Sequence, residues 1–395
     1  MSRVFVTDGR SKASVAIVRS LGKKNIEVTA SNDRKINPTF LSKYVKNRVI
    51  YPSPEKTPDL FISEMYKLIK KERYEVVIPV RDATTILFSK YKNKFSNFTK
   101  MPIPNYEVIM KGRDKAQTVK IAIENGIPCP ETYFVDDEDI NKMKSNLKYP
   151  VLIRPKESSG SRGIVYVDSP EKLMYEYKKV QSQYDGVMIQ EYIPHGGEHY
   201  SVCALFNQYS EPRASFVYKE IRQYPITGGP ATFSESTERL DVLKYTLKLL
   251  KAMNWYGVAH ADFMIDEGDK KPKLLEINPR FWTSLNLAIL SGVDFPYLLY
   301  KMAIEGDVKS VNNYQIGVKM RVLPEDILCF LCTPNKFKKL PEFITFNGIG
   351  DAILSLDDPC PAVGVILESI ISFLSKEQRA HAFNRGWSSQ QKNIK

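Results

Sequence analysis

Three polar side chains alternate along an otherwise apolar stretch, LLEINPRFW, from Leu274 to Trp282. Glu276, Asn278 and Arg280 are two residues apart, so a β-strand would place them on one face. A carboxylate, an amide and a guanidinium are costly to bury together unless something binds them. Carboxylate and amide oxygens suit Mg²⁺, and a guanidinium suits a phosphoryl or carboxylate oxygen. The stretch alone indicates either a magnesium–phosphate site or a structural Glu–Arg ion pair beside an Asn-Pro turn.

A second carboxylate, Asp262, lies upstream on the apolar stretch HADFMI. Only the segment DEGDKKP separates this stretch from the next one, so the two predict a β-hairpin that brings Asp262 beside Glu276 and Asn278. Oxygen ligands of this kind hold Mg²⁺ jointly with substrate phosphates. Pro279 lacks a backbone donor and predicts the end of the strand, with Arg280 directly beyond it.

A loop rich in glycine and serine, KESSGSRG at 156–163, lies between two strand-like segments. Glycine and serine allow the backbone to approach phosphates closely and to present N–H donors. Lys156 and Arg162 add positive charge to this loop. The Walker A pattern is absent, so the loop by itself is a weak indication of a phosphate site.

The first hundred residues alternate strand and helix patterns: RVFVTDGR, then SKASVAIVRSLGKKN, then IEVTAS, and later EVVIPVRDATT. This predicts a parallel α/β sheet, whose ligands bind at the carboxyl ends of the strands. The polar residues at these ends are candidates for substrate binding: Asp8, Arg10, Ser11, Arg81 and Asp82. An equally good interpretation is that they cap helices. The segment TDGRSKAS does not match the dinucleotide-binding pattern GxGxxG.

The middle of the chain has a different pattern, in which helices alternate with paired strands and hairpins, as in an α+β fold. The last part ends in the apolar segment PAVGVILESIISFLS, 361–375. We expect a core helix here, since the segment is shorter than the roughly 18 residues that span a bilayer. Contact with a membrane surface is the second interpretation.

Composition and charge narrow the class of protein. The chain has 395 residues, 43% hydrophobic and 26% charged, with a formal net charge of +12. The basic residues are interspersed with acidic ones, which argues against a nucleic-acid partner. Cys329 and Cys332 form one CxxC in apolar surroundings, which indicates packed thiols and no zinc site. The N-terminus has no signal-peptide pattern, so we expect a cytoplasmic protein.

In the order and spacing of these motifs, Lys111 to Tyr300 resembles the ATP-grasp superfamily, particularly its carbamoyl-phosphate-synthetase-like and carboxylate–amine ligase branches. The matching motifs are GRDKAQTVKIAIENGIPCPET, YPVLIRPKESSGSRGI, MIQEYIPHGGEHYSV, ADFMID and LLEINPRFW. The resemblance implies an α/β and α+β chain, with a doubly wound N-terminal preATP-grasp domain, a two-subdomain ATP-grasp fold and a small C-terminal extension. The expected boundaries are 1–105, 106–188, 189–310 and 311–395.

The resemblance also implies roles for individual residues. The ATP phosphates would contact the cations Lys115, Arg154 and Lys156 and the loop residues Ser159, Gly160, Ser161 and Gly163. The adenine and ribose would lie along Gln190, Glu191, Tyr192, Ile193 and Glu198. The metal ligands would be Asp262, Glu276 and Asn278, and the catalytic cations Arg280, Lys156 and Arg162. The segment RQYPITGGPATFSES adds the acceptor-site candidates Arg222, Gly228 and Gly229.

The implied cofactors are ATP and Mg²⁺, with Mn²⁺ as an alternative. The implied reaction activates a substrate carboxylate as an acyl phosphate, which an amine then attacks, with an amino acid as one candidate substrate. Carboxylation, phosphorylation of carbamate or bicarbonate, and a nucleotide-binding regulatory protein without turnover are the alternatives. We expect small-molecule carboxylate and amine partners, no nucleic acid and no stable membrane insertion, and we leave homo-oligomerisation open.

Overall fold

Three β-sheets organise the part of the chain that the computed structural model describes, residues 2–134, 137–158, 162–194, 196–226 and 228–374. No helix within these residues is long and apolar enough to cross a membrane.

The first sheet is parallel. Its strands are β1 (Arg3–Val6), β2 (Glu27–Asn32), β3 (Val45–Ile50) and β4 (Val76–Ile78), in the order β3–β2–β1–β4. The accompanying helices are α1 (Lys12–Gly22), α2 (Pro58–Glu72), α3 (Asp82–Lys90) and α4 (Lys92–Phe95). Val4 and Val6 pack into one core with α1, whereas Phe5 packs into another with Phe61 of α2. Successive residues of β1 thus face helices on opposite sides, which confirms the doubly wound arrangement.

The second sheet is antiparallel and small. Helices α5 (Tyr106–Arg113) and α6 (Lys115–Glu124) lead to β5 (Thr132–Tyr133), α7 (Asp137–Met143), β6 (Val151–Pro155), β7 (Val165–Val167), α8 (Pro170–Gln181) and β8 (Val187–Glu191). The strand order is β5–β8–β6–β7, and the glycine- and serine-rich loop joins β6 to β7. The buried side chains of Leu173, Tyr177 and Val180 hold α8 against this sheet.

The third sheet carries most of the polar candidates. It contains β9 (His199–Phe206), β10 (Pro212–Gln223), β11 (Ala231–Ser236), β12 (Gly257–Ile265) and β13 (Pro272–Asn278), with α9 (Leu240–Ala252) between β11 and β12. These strands pair antiparallel in the order β13–β12–β9–β10–β11. Helices α10 (Leu285–Leu290) and α11 (Phe295–Glu305) follow and share a core with α1. The first and third sheets are therefore joined by one apolar core.

Residues beyond 310 continue the third sheet. They form β14 (Lys319–Arg321), α12 (Leu323–Cys332), α13 (Leu340–Ile344), β15 (Ile349–Asp351) and α14 (Cys360–Leu374). β14 pairs antiparallel with β11, and β15 pairs parallel with β14, so the sheet has seven strands. The buried carboxylate of Asp358 accepts hydrogen bonds from Arg19, Ser42 and the backbone of Lys43. This segment is thus fastened both to the large sheet and to the N-terminal sheet.

The expectation of a core helix at the end of the chain is wrong for α14. Gly364 packs so closely on Pro38 that an added Cβ would lie 2.6 Å from the Pro38 Cα. The opposite side of the helix is exposed, and Ile366 and Ile370 are 58% and 51% accessible. Apolar side chains occur on both sides of this helix, but only one side has a partner within the described chain.

Candidate active site

The hairpin predicted from LLEINPRFW and HADFMI is formed by β12 and β13. Asp262 lies directly opposite Glu276, and His260 lies opposite Asn278. The Asn278 amide donates a 3.0 Å hydrogen bond to the Asp262 carboxylate. The register brings the oxygens of Asp262, Glu276 and Asn278 to one place at the end of the hairpin.

Lys115 reaches this cluster from the first turn of α6. The preceding residue, Asp114, caps the helix by accepting hydrogen bonds from two backbone N–H groups. The Lys115 side chain is buried, and its Nζ lies 3.3 Å from Glu276 Oε2 and donates to the Ser158 carbonyl at 2.7 Å. Burial lowers the pKa of the Lys115 amino group, and the attraction of Glu276 opposes that shift without cancelling it.

Arg154 approaches Glu276 from a different element, β6. Its guanidinium is buried, lies 3.9 Å from the Glu276 carboxylate and donates to the side-chain carbonyl of Gln190. Burial lowers the pKa of Arg154. The buried Nε of Arg154 has no hydrogen-bond partner among the described residues. A buried donor without a partner is costly, so this atom marks a place for an acceptor.

Glu276 lies between these cations and is strongly acidic. Burial by itself would raise its pKa, but Lys115 and Arg154 outweigh burial and hold the pKa at about 2. Two buried cations thus converge on the carboxylate of Glu276, and cationic groups brought together in this way suit phosphate groups. In the described residues no group of three or more His, Cys, Asp or Glu could hold a metal ion alone. The Asp262, Glu276 and Asn278 oxygens fit Mg²⁺ only if substrate oxygens complete its shell.

A further carboxylate, Glu220 of β10, belongs to the cluster and was missed from the sequence. The Ser201 hydroxyl lies 3.0 Å from Glu220 Oε1 and 2.7 Å from Asp262 Oδ1, so it links the two carboxylates. Burial raises the pKa of Glu220 to about 8, with the charge of Asp262 as the second cause. Tyr218, Glu220 and Arg222 alternate on their strand as Glu276, Asn278 and Arg280 do, and that repeat was the available signal.

An aromatic layer supports the hairpin from behind. The buried imidazole of His260 is stacked between Tyr218 and Trp282, with ring centroids 6.0 and 5.8 Å away. The Tyr218 hydroxyl lies 3.0 Å from His260 Nε2, and burial lowers the pKa of the imidazole. A neutral, stacked His260 restrains the position of β12 next to Asp262. The sequence offered no sign of this layer beyond the alternation of His260 and Asp262.

Arg280 connects the hairpin to the N-terminal sheet. One guanidinium nitrogen donates to the side-chain Oδ1 of Asn278 at 3.0 Å, and Nε donates to Asp82 Oδ1 at 3.1 Å. Asp82 begins α3, at the carboxyl end of β4. The structure thus brings together two residues that the sequence placed in separate sites. Arg280 stands between the metal-ligand candidates and the candidate substrate residues.

The other N-terminal candidates have mixed positions. Asp8 accepts hydrogen bonds from the Arg81 N–H at 3.0 Å and the Thr84 hydroxyl at 2.6 Å, so it organises the turn that starts α3. For Asp8 the structural interpretation therefore applies. Ser11 occupies the N-cap position of α1 without a side-chain capping bond, and Arg10 forms an ion pair with Glu368 of α14.

The residues expected along adenine and ribose lie at the end of β8 and the start of β9. The Gln190 side chain donates to the Thr132 hydroxyl at 2.8 Å and accepts from Arg154, so it belongs to the cation cluster formed by Lys115 and Arg154. The Glu191 carboxylate accepts a 3.0 Å hydrogen bond from the backbone N–H of Glu131, the residue before β5. Tyr192 packs edge-on against Tyr166, with ring centroids 5.2 Å apart, and Ile193 is buried. Glu198 pairs with Lys219 and accepts from the Tyr200 hydroxyl at 2.6 Å.

The phosphate-loop candidates are partly described. Ser159, Gly160 and Ser161 lie outside the described residues. The Lys156 carbonyl accepts from the Lys115 N–H at 2.9 Å, so the loop begins beside the cation cluster. Gly163 has a φ of +74°, and an added Cβ would lie 2.6 Å from the Tyr184 ring. The return of the loop therefore requires glycine. Arg162 lies between these two ends of the loop.

The acceptor-site candidates lie at the end of β10 and in the loop after it, and one of them contacts the C-terminal segment. Arg222 forms a buried two-point ion pair with Asp326 of α12, at 2.8 and 2.6 Å. Its guanidinium also lies between the rings of Phe233 and Phe343, 4.2 and 4.1 Å from their centroids. Gly229 follows in a tight loop, where an added Cβ would lie 2.2 Å from the Tyr224 carbonyl oxygen. Gly228 in the same loop has a φ of +121°.

Comparison with known proteins agrees with this geometry. The family model described as an ATP-grasp domain matches residues 112–284. These residues are an ATP-grasp domain. They contain the cations, the loop, the hairpin and Arg280, and the ATP-grasp domain is followed by α11 and by the strands that extend its large sheet.

The proteins with similar sequences include different enzymes. The D-alanine–D-alanine ligase of Acidovorax ebreus is 25% identical over 222 residues, which cover 51% of this chain and 65% of the ligase. The carbamoyl phosphate synthase large chain of a Thermoanaerobacter species is 24% identical over 284 residues, covering 68% of this chain and 24% of the synthase. The chain thus spans less than two thirds of the length of either relative.

The fold is shared with solved ATP-grasp structures. Biotin carboxylase from Campylobacter jejuni, solved as a β,γ-ATP complex, matches with a TM-score of 0.67 and 16% identity. The match covers 80% of this chain and 74% of the carboxylase, so it extends beyond residues 112–284. Identity this low carries the fold and leaves the substrate undetermined.

Proposed function

We propose that this protein is an ATP-dependent ligase that activates a substrate carboxylate as an acyl phosphate, releases ADP and transfers the acyl group to an amine. The observation that carries the proposal is the convergence of Lys115 and Arg154 on Glu276, beside Asp262 and Asn278. Two buried cations come from separate elements, and the Arg154 Nε has no hydrogen-bond partner among the described residues, which fits a polyphosphate better than a structural ion pair.

Each group has a task in this proposal. Lys115, Arg154 and Lys156 would hold the phosphates of ATP, and Asp262, Glu276 and Asn278 would hold Mg²⁺. The bound ion would neutralise negative charge on the phosphate oxygens. The segment from Gln190 to Ile193 would flank the base. The loop 156–163 would cover the phosphates and exclude water from a reactive acyl phosphate.

The reaction divides into two displacements. The ionised carboxylate attacks the γ-phosphorus of ATP, its bond to ADP breaks, and an acyl phosphate forms. An amine then attacks the acyl carbon, phosphate leaves, and the proton lost by the amine nitrogen passes to the departing phosphate or to water. The first step needs no general base, because the carboxylate is already ionised, so positioning and charge neutralisation dominate. Arg280 would stabilise the transferring phosphoryl group, and its contact with Asp82 aims it at the carboxyl edge of the N-terminal sheet.

The amine would approach from the side of the N-terminal sheet and β10. Arg10, Ser11, Arg81 and Asp82 lie at the sheet edge that Arg280 contacts, and they would select one substrate. Gly228 and Gly229 would shape the opposite wall, with Arg222 fixing the loop through Asp326. An amino acid has both a carboxylate and an amine and is the substrate class we would screen first.

Bicarbonate or carbamate phosphorylation is the second candidate. Its support is that carbamoyl phosphate synthase is among the relatives and that a biotin carboxylase has a similar fold. Bicarbonate is itself a carboxylate-like nucleophile, so the same cations and metal ligands would serve it. A regulatory protein without turnover is a weaker alternative, because a pure nucleotide binder needs no phosphoryl-transfer arginine.

The test is ADP release with Mg²⁺ across a panel of carboxylates, amines and bicarbonate, with product masses measured in parallel. We expect one carboxylate–amine pair to stimulate release, and Glu276→Ala and Arg280→Ala each to lower turnover about 10²–10³-fold. Arg213→Ala is the matched control. Arg213 lies near the start of β10 and also forms an ion pair, with Asp307, but it is outside the proposed site.

Three results would count against the proposal. Normal turnover in both site variants would refute the site assignment. Stimulation by bicarbonate with no amine, giving a carboxylated product, would favour the second candidate. ATP binding without ADP release in the presence of any carboxylate would favour the regulatory protein.

A further inference from the structure

The helix α14 has apolar side chains on both sides, and only one side contacts another part of the described chain. The inward face includes Pro361, Gly364 and Glu368, and it packs against residues of the N-terminal domain such as Pro38. The outward face is a stripe of exposed aliphatic side chains at spacings of three and four residues: Val363, Ile366, Leu367, Ile370 and Ile371. Positions i, i+3, i+4, i+7 and i+8 share one side of a helix, so the stripe is continuous.

The outward face of α14 carries no charge. Glu368 is the only charged residue between Cys360 and Ile371, and it lies on the other side in an ion pair with Arg10. The five aliphatic side chains of the stripe are between 41% and 58% exposed. A contiguous apolar patch of this kind on a protein surface marks an interaction site.

Exposed apolar surface is concentrated in the same part of the chain. Of the 26 exposed large apolar side chains in the described residues, 15 lie within residues 316–371. On α12, Ile327, Leu328 and Leu331 are 51%, 42% and 54% exposed and also share one helical face. Scattered apolar residues on a surface are ordinary, but a helix with a continuous exposed apolar face is not, and α12 and α14 each have one.

The same part of the chain also carries positive charge. Between α12 and α13 the chain reads TPNKFKK, with Phe337 78% exposed and Lys336, Lys338 and Lys339 on either side of it. The sequence that follows α14, residues 375–395, contains five Lys or Arg, one Glu, a phenylalanine and a tryptophan. Lysine next to exposed aromatic and aliphatic side chains is the composition of segments that bind membrane interfaces.

We propose that the outward face of α14, with the basic residues around Phe337, binds the surface of a bilayer that contains anionic lipids. The helix would lie in the plane of the interface with its stripe among the acyl chains nearest the headgroups. The lysines would add electrostatic attraction to the anionic headgroups. Such binding is peripheral and needs no membrane-spanning helix.

A second copy of the chain would cover the stripe less well. The five half-exposed side chains offer roughly 450 Å² of surface, against about 800 Å² per partner in a stable protein–protein interface. The net charge of +12 also opposes self-association and favours an anionic surface. The anionic bilayer therefore fits both the apolar stripe and the charge that accompanies it.

The test is flotation of the full-length protein with vesicles of neutral phosphatidylcholine, alone or with 30 mol% anionic phosphatidylglycerol, a composition chosen within the usual range for such assays at about physiological salt. We expect binding to the anionic vesicles that weakens as salt is raised. Ile366→Glu with Ile370→Glu should lower the bound fraction at least about tenfold, because two side chains no longer enter the apolar layer. Lys338→Gln with Lys339→Gln should lower binding to anionic vesicles by a smaller factor.

Controls separate this binding from turnover and from misfolding. Ile123→Glu is matched in exposure, 57% against 58% for Ile366, but lies on α6, and it should bind vesicles like the wild type. Glu276→Ala, a variant of the proposed active site, should also bind normally, so loss of turnover and loss of binding remain distinguishable. Thermal unfolding of each variant verifies the fold.

Two outcomes would overturn the membrane proposal. The first is a wild-type protein that does not float with anionic vesicles. The second is a wild-type dimer, detected by light scattering, that the Ile366→Glu and Ile370→Glu changes dissociate, because the stripe would then be an interface between two copies.

Discussion

The β12–β13 hairpin and helix α14 depart from ordinary burial in opposite directions. The hairpin holds the partly buried carboxylates of Asp262 and Glu276 beside the buried cation Lys115. Helix α14 holds Ile366 and Ile370 in contact with solvent. Buried charge and exposed apolar surface both cost stability unless a ligand satisfies them. The comparison indicates that the two regions serve different partners, a charged small molecule in the interior and an extended surface outside.

The largest expected contrast is in folding stability. Phe216→Ala, in the third sheet, removes a fully buried ring and should lower the free energy of unfolding by about 3–5 kcal/mol. Ile370→Ala should change it by no more than about 0.5 kcal/mol, since the side chain is half-exposed and alanine favours helix. Urea unfolding measures both. A cost near 2 kcal/mol for Ile370→Ala would mean that the stripe is already covered in the free protein.

Stabilisation of the protein by MgATP should depend on the β12–β13 hairpin and not on helix α14. At about one hundred times its dissociation constant, MgATP should raise the free energy of unfolding by about 2.7 kcal/mol. Glu276→Ala should lose this gain, because it removes a proposed metal ligand and the counter-charge of Lys115. Ile370→Ala should keep it. Thermal shifts with and without MgATP measure the difference, and protection retained in Glu276→Ala would contradict the assigned site.

Taken per pH unit, the smallest expected effect is a dependence of folding stability on pH from Glu220. Its folded pKa of about 8 lies above the ordinary glutamate value, so between these two values the folded protein binds a proton that the unfolded chain has released. Stability should therefore fall as pH rises through this window, by up to about 1.4 kcal/mol per pH unit. Glu220→Gln should flatten this fall. The measurement is urea unfolding from pH 5 to 8 with a chelator present, and an unchanged slope would exclude Glu220 as its source.

The sequence was most informative where function depends on local order along the chain. The alternation in LLEINPRFW and the short connection to HADFMI predicted the hairpin, because both depend on strand geometry and a turn. The pairing of Asp262 with Glu276 bears this out. The doubly wound first sheet was likewise predictable from its alternating strand and helix patterns.

The missed residues depend on pairing between distant segments. Glu220 joins the cluster only because β10 and β12 both pair with β9, where Ser201 lies between the two carboxylates. Nothing near Glu220 in the sequence specifies that order. The contact of Arg280 with Asp82 and the ion pair of Arg222 with Asp326 likewise join residues 198 and 104 positions apart.

By itself, the sequence determined the chemistry on offer: two carboxylates and an amide on one hairpin, cations upstream of it, and an apolar segment near the end of the chain. Periodicity is a property of the chain, so it needs no knowledge of neighbours. Only the tertiary structure decided which charges face one another and which side of α14 is covered. Strand order and helix docking depend on packing between segments far apart in sequence, and local pattern does not encode that packing.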